Sequence, residues 1–128
     1  MARHEQFLRL ATAVAEESPH SRWRLGCVVA RGSSVIAKAF NVPKNDPRIL
    51  EGGPGTTVHA EAHALRKLTY QADRAEGAVL YVVRVSKFGK RRLARPCLSC
   101  YKAIHLAGVK SIVYSMDVDG DFGIERLP

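Results

Sequence analysis

The chain has 128 residues, 46% hydrophobic and 25% charged, with a formal net charge of +8. That describes a single soluble domain spanning 1–128, large enough to bury a core without disulfide staples. No apolar run reaches the roughly 18 residues of a membrane span, and Met1-Ala2-Arg3-His4-Glu5 opens no secretory signal. Three cysteines, two of them in Cys97-Leu98-Ser99-Cys100, argue against a disulfide framework and for metal ligation in a reducing, cytoplasmic setting.

In chain order, Glu5 to Glu17 carries Phe7, Leu8, Ala11, Val14 and Ala15 at amphipathic helical spacing, and Ser18-Pro19 ends it. Leu25 to Ala30 and Val35 to Asn41 read as strands joined by the turn Arg31-Gly32-Ser33-Ser34, with Cys27 a buried core thiol. Val42 to Thr56, rich in Pro and Gly, reads as an irregular loop in the wall of a site. Thr57 caps a helix from Val58 to about Tyr70, and Ala78 to Val85 is a strand apolar enough for the centre of a sheet. Ser86 to Arg95 is a basic excursion about Gly89. Cys97 to Ala107 is a helix stopped by Gly108, Val109 to Tyr114 a strand, and Ser115 to Pro128 either a short last element or a loose end. An opening hairpin followed by alternating helices and strands predicts a three-layer α/β/α domain around one mixed sheet.

The chemistry concentrates in His59-Ala60-Glu61 and Pro96-Cys97-Leu98-Ser99-Cys100. One histidine and two cysteines suit a tetrahedral Zn²⁺ with its fourth position open to water, one ion per chain. Cys97 and Cys100, three apart at a helix start, share one face, and the helix N-terminus favours the thiolate. Glu61 stands where a carboxylate can take the proton of a zinc-activated water and pass it to a substrate. His63 opens a second reading, a closed structural zinc held by His59, His63, Cys97 and Cys100, which leaves Glu61 without a task. The remaining histidines, His4, His20 and His105, are isolated surface or helix-face residues. Asn41, at the end of the second strand, is either a turn residue or a hydrogen-bond partner for a substrate sugar or base.

Charge is uneven. Between Gly77 and Met116 stand Arg84, Lys87, Lys90, Arg91, Arg92, Arg95, Lys102 and Lys110 with no acid among them, which equals the whole excess. The stretch runs into the Pro96-Cys97 turn, so it reads either as a solvated basic hairpin or as a footprint for phosphate. Two aromatic candidates accompany it, Phe88 at the tip of the excursion and Trp23 before the first strand.

From about Leu25 to Tyr114 the chain resembles the cytidine and deoxycytidylate deaminase-like superfamily. The resemblance is carried by Gly26-Cys27-Val28-Val29, Phe40-Asn41, His59-Ala60-Glu61-Ala62-His63-Ala64-Leu65, Leu80-Tyr81-Val82-Val83 and Pro96-Cys97-Leu98-Ser99-Cys100. It implies a five-stranded mixed sheet flanked by helices, zinc on His59, Cys97 and Cys100, and Glu61 as proton shuttle. It also implies that Asn41, Ala60, Arg95 and Pro96 surround the substrate, partly through backbone groups. A homo-oligomer is implied by resemblance alone. The chain departs from free-cytidine deaminases in having His59 where Cys is usual, and from deoxycytidylate deaminases in having Val42 where Gly usually follows the Asn. The interval Arg84 to Arg95 is longer than in the tRNA-adenosine relatives.

A mononucleotide phosphate needs one or two cations, whereas single-stranded nucleic acid takes a basic track with aromatic platforms. The eight positives therefore favour hydrolytic deamination of cytosine in single-stranded DNA or a related polynucleotide, with Trp23, Lys87, Phe88, Lys90, Arg91 and Arg92 as contacts. The alternative is a deoxycytidylate deaminase of pyrimidine metabolism. An adenine-in-RNA deaminase and a non-catalytic zinc-stabilised nucleic-acid-binding module stand behind these.

Overall fold

The computed structural model describes residues 2–19, 24–43, 57–58, 60–68, 75–96, 98–118 and 121–128. Helix α1 (Ala2–Glu16) precedes the hairpin of β1 (Arg24–Arg31) and β2 (Ser34–Phe40). Two short strands, β3 (Val42–Pro43) and β4 (Thr57–Val58), lead to helix α2 (Ala60–Arg66). There follow β5 (Val79–Val85), β6 (Arg91–Arg92), helix α3 (Leu98–Leu106), β7 (Ser111–Ser115) and β8 (Phe122–Arg126).

The main sheet runs β2-β1-β5-β7-β8, with β6 attached to β5. Only β5 and β7 are parallel, and α3 makes the crossover between them. The other pairs are antiparallel, so the sheet is mixed, as the alternation of elements predicts.

Side chains alternate across the strands and divide the core in two. On one face Val28, Tyr81, Val83, Val85 and Val113 pack against Phe7, Leu8, Ala11, Val14 and Ala15 of α1. On the other, Cys27, Val29, Leu80, Val82 and Ile112 pack against Ala60 and Ala64 of α2 and Cys100 and Ile104 of α3. Helix α1 lies close to the sheet because β1 carries Gly26. A Cβ there would stand 2.2 Å from the Ala11 carbonyl oxygen and 2.4 Å from the Ala15 nitrogen.

Two expectations are revised and one open alternative is resolved. The segment opening at Val42 begins with a strand, since Val42 pairs with Val58 and Pro43 with Thr57, and residues 44–56 lie outside the described part. Of the two readings of the acidic tail, the short last element is the one observed. Phe122 to Arg126 pair antiparallel with Ser111 to Ser115 and close the sheet edge. The described part of the second helix starts at Ala60 and ends at Arg66, several residues short of Tyr70. No helix among the described residues is long and apolar enough to cross a membrane.

Candidate active site

Glu61 lies in the first turn of α2 and is 2% exposed. Cys100 lies in the first turn of α3 and is also buried. Both helices pack on the same sheet face, and both groups lie within electrostatic reach of β1. Cys27 of β1 records their closeness. Burial pushes its thiol well above the ordinary range, and the negative charges of Glu61 and Cys100 push it further. Cys27 therefore stays a neutral thiol beneath the site, the buried core role its apolar surroundings predict.

His59 and Cys97 lie outside the described residues, each immediately ahead of one of these helices in the chain. Among the described residues no three His, Cys, Asp or Glu side chains cluster, as expected when two of three candidate ligands are not among them. The donor chemistry fits zinc: a buried cysteine that opens one helix, beside a carboxylate that opens the other, with a histidine and a second cysteine adjoining them in sequence. Of the His63 side chain, on which the closed four-ligand alternative depends, nothing is described.

Asn41 is fully buried at the end of β2. Its backbone N–H donates to the Leu25 carbonyl at 3.1 Å, while its side-chain Oδ1 accepts from the Leu25 N–H at 2.8 Å and from the Ser18 hydroxyl at 2.7 Å. The Ser18 hydroxyl is also 2.8 Å from the Asn41 carbonyl oxygen. This excludes a solvent-exposed turn role for Asn41. The sequence shows Ser18 only as a helix terminator; its partnership with Asn41, 23 positions away, leaves no local mark.

Of the other expected substrate contacts, Ala60 is buried beside Glu61, Pro96 is half-buried, and Arg95 is exposed. The Arg95 guanidinium pairs with Glu125 of β8, so any part it takes in holding a base falls to its backbone.

The basic excursion is a hairpin turning at Gly89, whose φ of 80° suits a glycine. Its cations are not equivalent. Arg91 donates two hydrogen bonds to the Glu5 carboxylate, Nη1 to Oε1 at 3.1 Å and Nη2 to Oε2 at 2.7 Å, and a third from Nε to Thr12 Oγ1 at 3.3 Å. That corrects its expected role as a phosphate contact, because the guanidinium is engaged with α1. Lys87, Phe88, Lys90 and Arg92 are exposed. Phe88 is 79% exposed with the Lys87 ammonium 5.2 Å from its ring centroid, so it does not anchor the hairpin. Trp23 lies outside the described residues.

The sequence pattern of the cytidine and deoxycytidylate deaminase zinc-binding region matches residues 1–116. The chain belongs to that family. It is a zinc-dependent hydrolytic deaminase. It is 33% identical over 131 aligned positions to a deoxycytidylate deaminase of Mycobacterium phage D29, covering 86% of this chain and 91% of the phage protein. A deoxycytidylate deaminase of Schizosaccharomyces pombe is 28% identical over 90% of this chain, which spans 37% of the yeast protein's length. Among solved structures, the dCMP deaminase of cyanophage S-TIM5 in complex with dCMP and dUMP superposes with a TM-score of 0.67 at 26% identity, covering 86% of this chain and 78% of that one.

Proposed function

We propose that this deaminase acts on deoxycytidylate, replacing the 4-amino group of the cytosine ring by oxygen with release of ammonia. The observation that carries the reading is the match to the phage D29 deoxycytidylate deaminase along nearly the whole of both chains. The fold shared with a dCMP-binding phage enzyme supports it. The polynucleotide reading is weaker than the sequence suggested, because Glu5 and Glu125 engage two of the eight cations and Asp117 acts on Arg84, which leaves five.

One zinc per chain, held by His59, Cys97 and Cys100, would supply a water acidified enough to give hydroxide near neutral pH. Glu61 accepts the proton of the attacking water and delivers it to the adjacent ring nitrogen. It then takes the second proton, from the hydroxyl now on the ring carbon, and passes it to the departing amino group as the carbonyl forms. Its burial in the first turn of α2 keeps bulk water from competing for that proton. Asn41, at the entry to the β3–β4 pair that leads to His59, contacts the sugar.

The zinc-loaded protein should be offered equimolar dCMP and a cytosine-containing single-stranded oligonucleotide, with uracil formation followed in each by mass spectrometry. Conversion of dCMP with the oligonucleotide intact is expected. Conversion of the oligonucleotide alone would overturn the reading.

A further inference from the structure

Four strands of the main sheet contribute one row of side chains on the face that α1 covers. Ala30 pairs with Val79, Val79 with Ser111, and Ser111 with Arg126. Tyr81, in the next row, meets His4 and Phe7 of α1. Beyond that contact the sheet is hollowed into a cavity of about 290 Å³, floored by the first row and walled by Arg3, His4, Tyr81 and Lys110.

The cavity is rich in cations, and no acid lines it. Arg3, Lys110 and Arg126 are exposed at its wall, and none has an ion-pair partner among the described residues. Three acids adjoin lining residues in the chain, and each is placed elsewhere. Glu5 binds Arg91, Glu125 binds Arg95, and the Glu76 side chain lies beside Gly108. Ser111, half-buried in the floor, has a hydroxyl with no hydrogen bond among the described residues. His4 feels the same field. Its Nδ1 and the Tyr81 hydroxyl share a hydrogen bond of 2.8 Å, and its ring meets Phe122 edge-on at 5.8 Å between centroids. Burial lowers its pKa from the ordinary imidazole value, and the charges acting on it, the amino terminus and Arg3, push it the same way.

We propose that this cavity binds a phosphate group, free or carried on a small molecule, through Arg3, Lys110 and Arg126 with the Ser111 hydroxyl at its floor. Guanidinium groups match phosphate oxygens in pairs, and an ammonium adds a point charge. Three cations around one enclosure suit a dianion better than a singly charged carboxylate. The volume is near the lower end for small-molecule sites, roughly 300 Å³. The site is separate from the catalytic one, because α2 and α3, which carry Glu61 and Cys100, pack on the other face of the sheet. It does not depend on which base the enzyme deaminates.

The test is titration of the zinc-loaded protein with inorganic phosphate at matched ionic strength, followed by calorimetry and by NMR of the His4 imidazole. A dianion beside the ring favours imidazolium, so phosphate should raise the His4 pKa and shift its resonances. Lys110→Gln combined with Arg126→Gln should weaken phosphate binding at least about tenfold, the loss of charge-assisted hydrogen bonds, with kcat and KM for dCMP within about twofold. Both side chains are exposed, so Tm should be unchanged. Ribose 5-phosphate is the second probe. Binding tighter than that of inorganic phosphate identifies a phosphorylated small molecule as the occupant, and binding no tighter identifies free phosphate. A His4 response no larger than that to sodium chloride, or an affinity unchanged in the double variant, would overturn the site. So would phosphate that competes with dCMP and leaves His4 unmoved, since it would then occupy the catalytic pocket alone.

Discussion

Glu61 and Cys27 sit within one buried layer and do opposite things. Glu61 opens a helix and Cys27 lies mid-strand beneath it, its thiol kept neutral by burial and by the charges above. A group that resists ionisation makes a poor zinc ligand. Cys27→Ala should therefore keep its zinc by atomic absorption, whereas Cys100→Ala should lose it. Glu61→Gln should keep both zinc and dCMP binding while turnover falls by about 10² to 10⁴, the usual range for removing a positioned acid-base group. Loss of zinc from Cys27→Ala would mean that the ligand set differs from the one the motif spacing gives. These residues were legible in the sequence because catalytic metal chemistry demands particular residue types at particular spacings. Ser18 was not, since a hydroxyl that hydrogen-bonds a residue on another element obeys no spacing rule.

At the scale of elements, the position of α1 decides the most. Its apolar stripe announces that it packs on something, but not how closely. Gly26 sets the distance, and Gly26→Ala would drive a methyl into the Ala11 carbonyl and the Ala15 backbone. A cost of about 1–3 kcal/mol is expected for such overpacking, read as a lower Tm. The opposite end of α1 is tied down by Glu5 and Arg91, whose side chains are 27% and 12% exposed. Arg91→Ala should cost about 1 kcal/mol in chemical denaturation. Arg91's hydrogen bond is the chief cause of a lowered Glu5 carboxyl, against an opposing effect of burial. A lowered carboxylate stabilises the fold above its unfolded value, and that contribution is lost as pH falls through the native value. The gap between wild type and Arg91→Ala should thus be full at neutral pH and close in acid below the ordinary carboxylate range. Strand periodicity located the sheet for a similar reason that it missed β3 and β4. The long strands carry their own apolar pattern, whereas a two-residue pair such as Val42–Pro43 with Thr57–Val58 exists only through its partner.

Over the whole molecule the question is what a run of eight positive charges means. Counted along the chain, the stretch from Arg84 to Lys110 has no acid, yet folding brings Glu5 from α1, Glu125 from β8 and Asp117 from beyond β7 against it. Asp117 also accepts the Leu93 N–H at 2.9 Å, so it braces the hairpin backbone as well as offsetting its charge. Sequence order cannot show such compensation, because it arises from contacts between elements tens of residues apart. What stays exposed at the hairpin tip is Lys87, Lys90 and Arg92 around Phe88. A phosphate track would lose its electrostatics with those three, since each neutralised phosphate contributes to the salt slope of binding. Changing all three to Ala should leave kcat and KM for dCMP within about twofold, given that an exposed charge outside the binding contacts alters a small substrate's capture only through screened attraction. The same variant titrated against single-stranded DNA between low and moderate salt gives the counter-test. If wild type binds tightly with a steep slope that the triple variant flattens, and dCMP turnover falls with it, the hairpin is part of the substrate path and the polynucleotide reading returns.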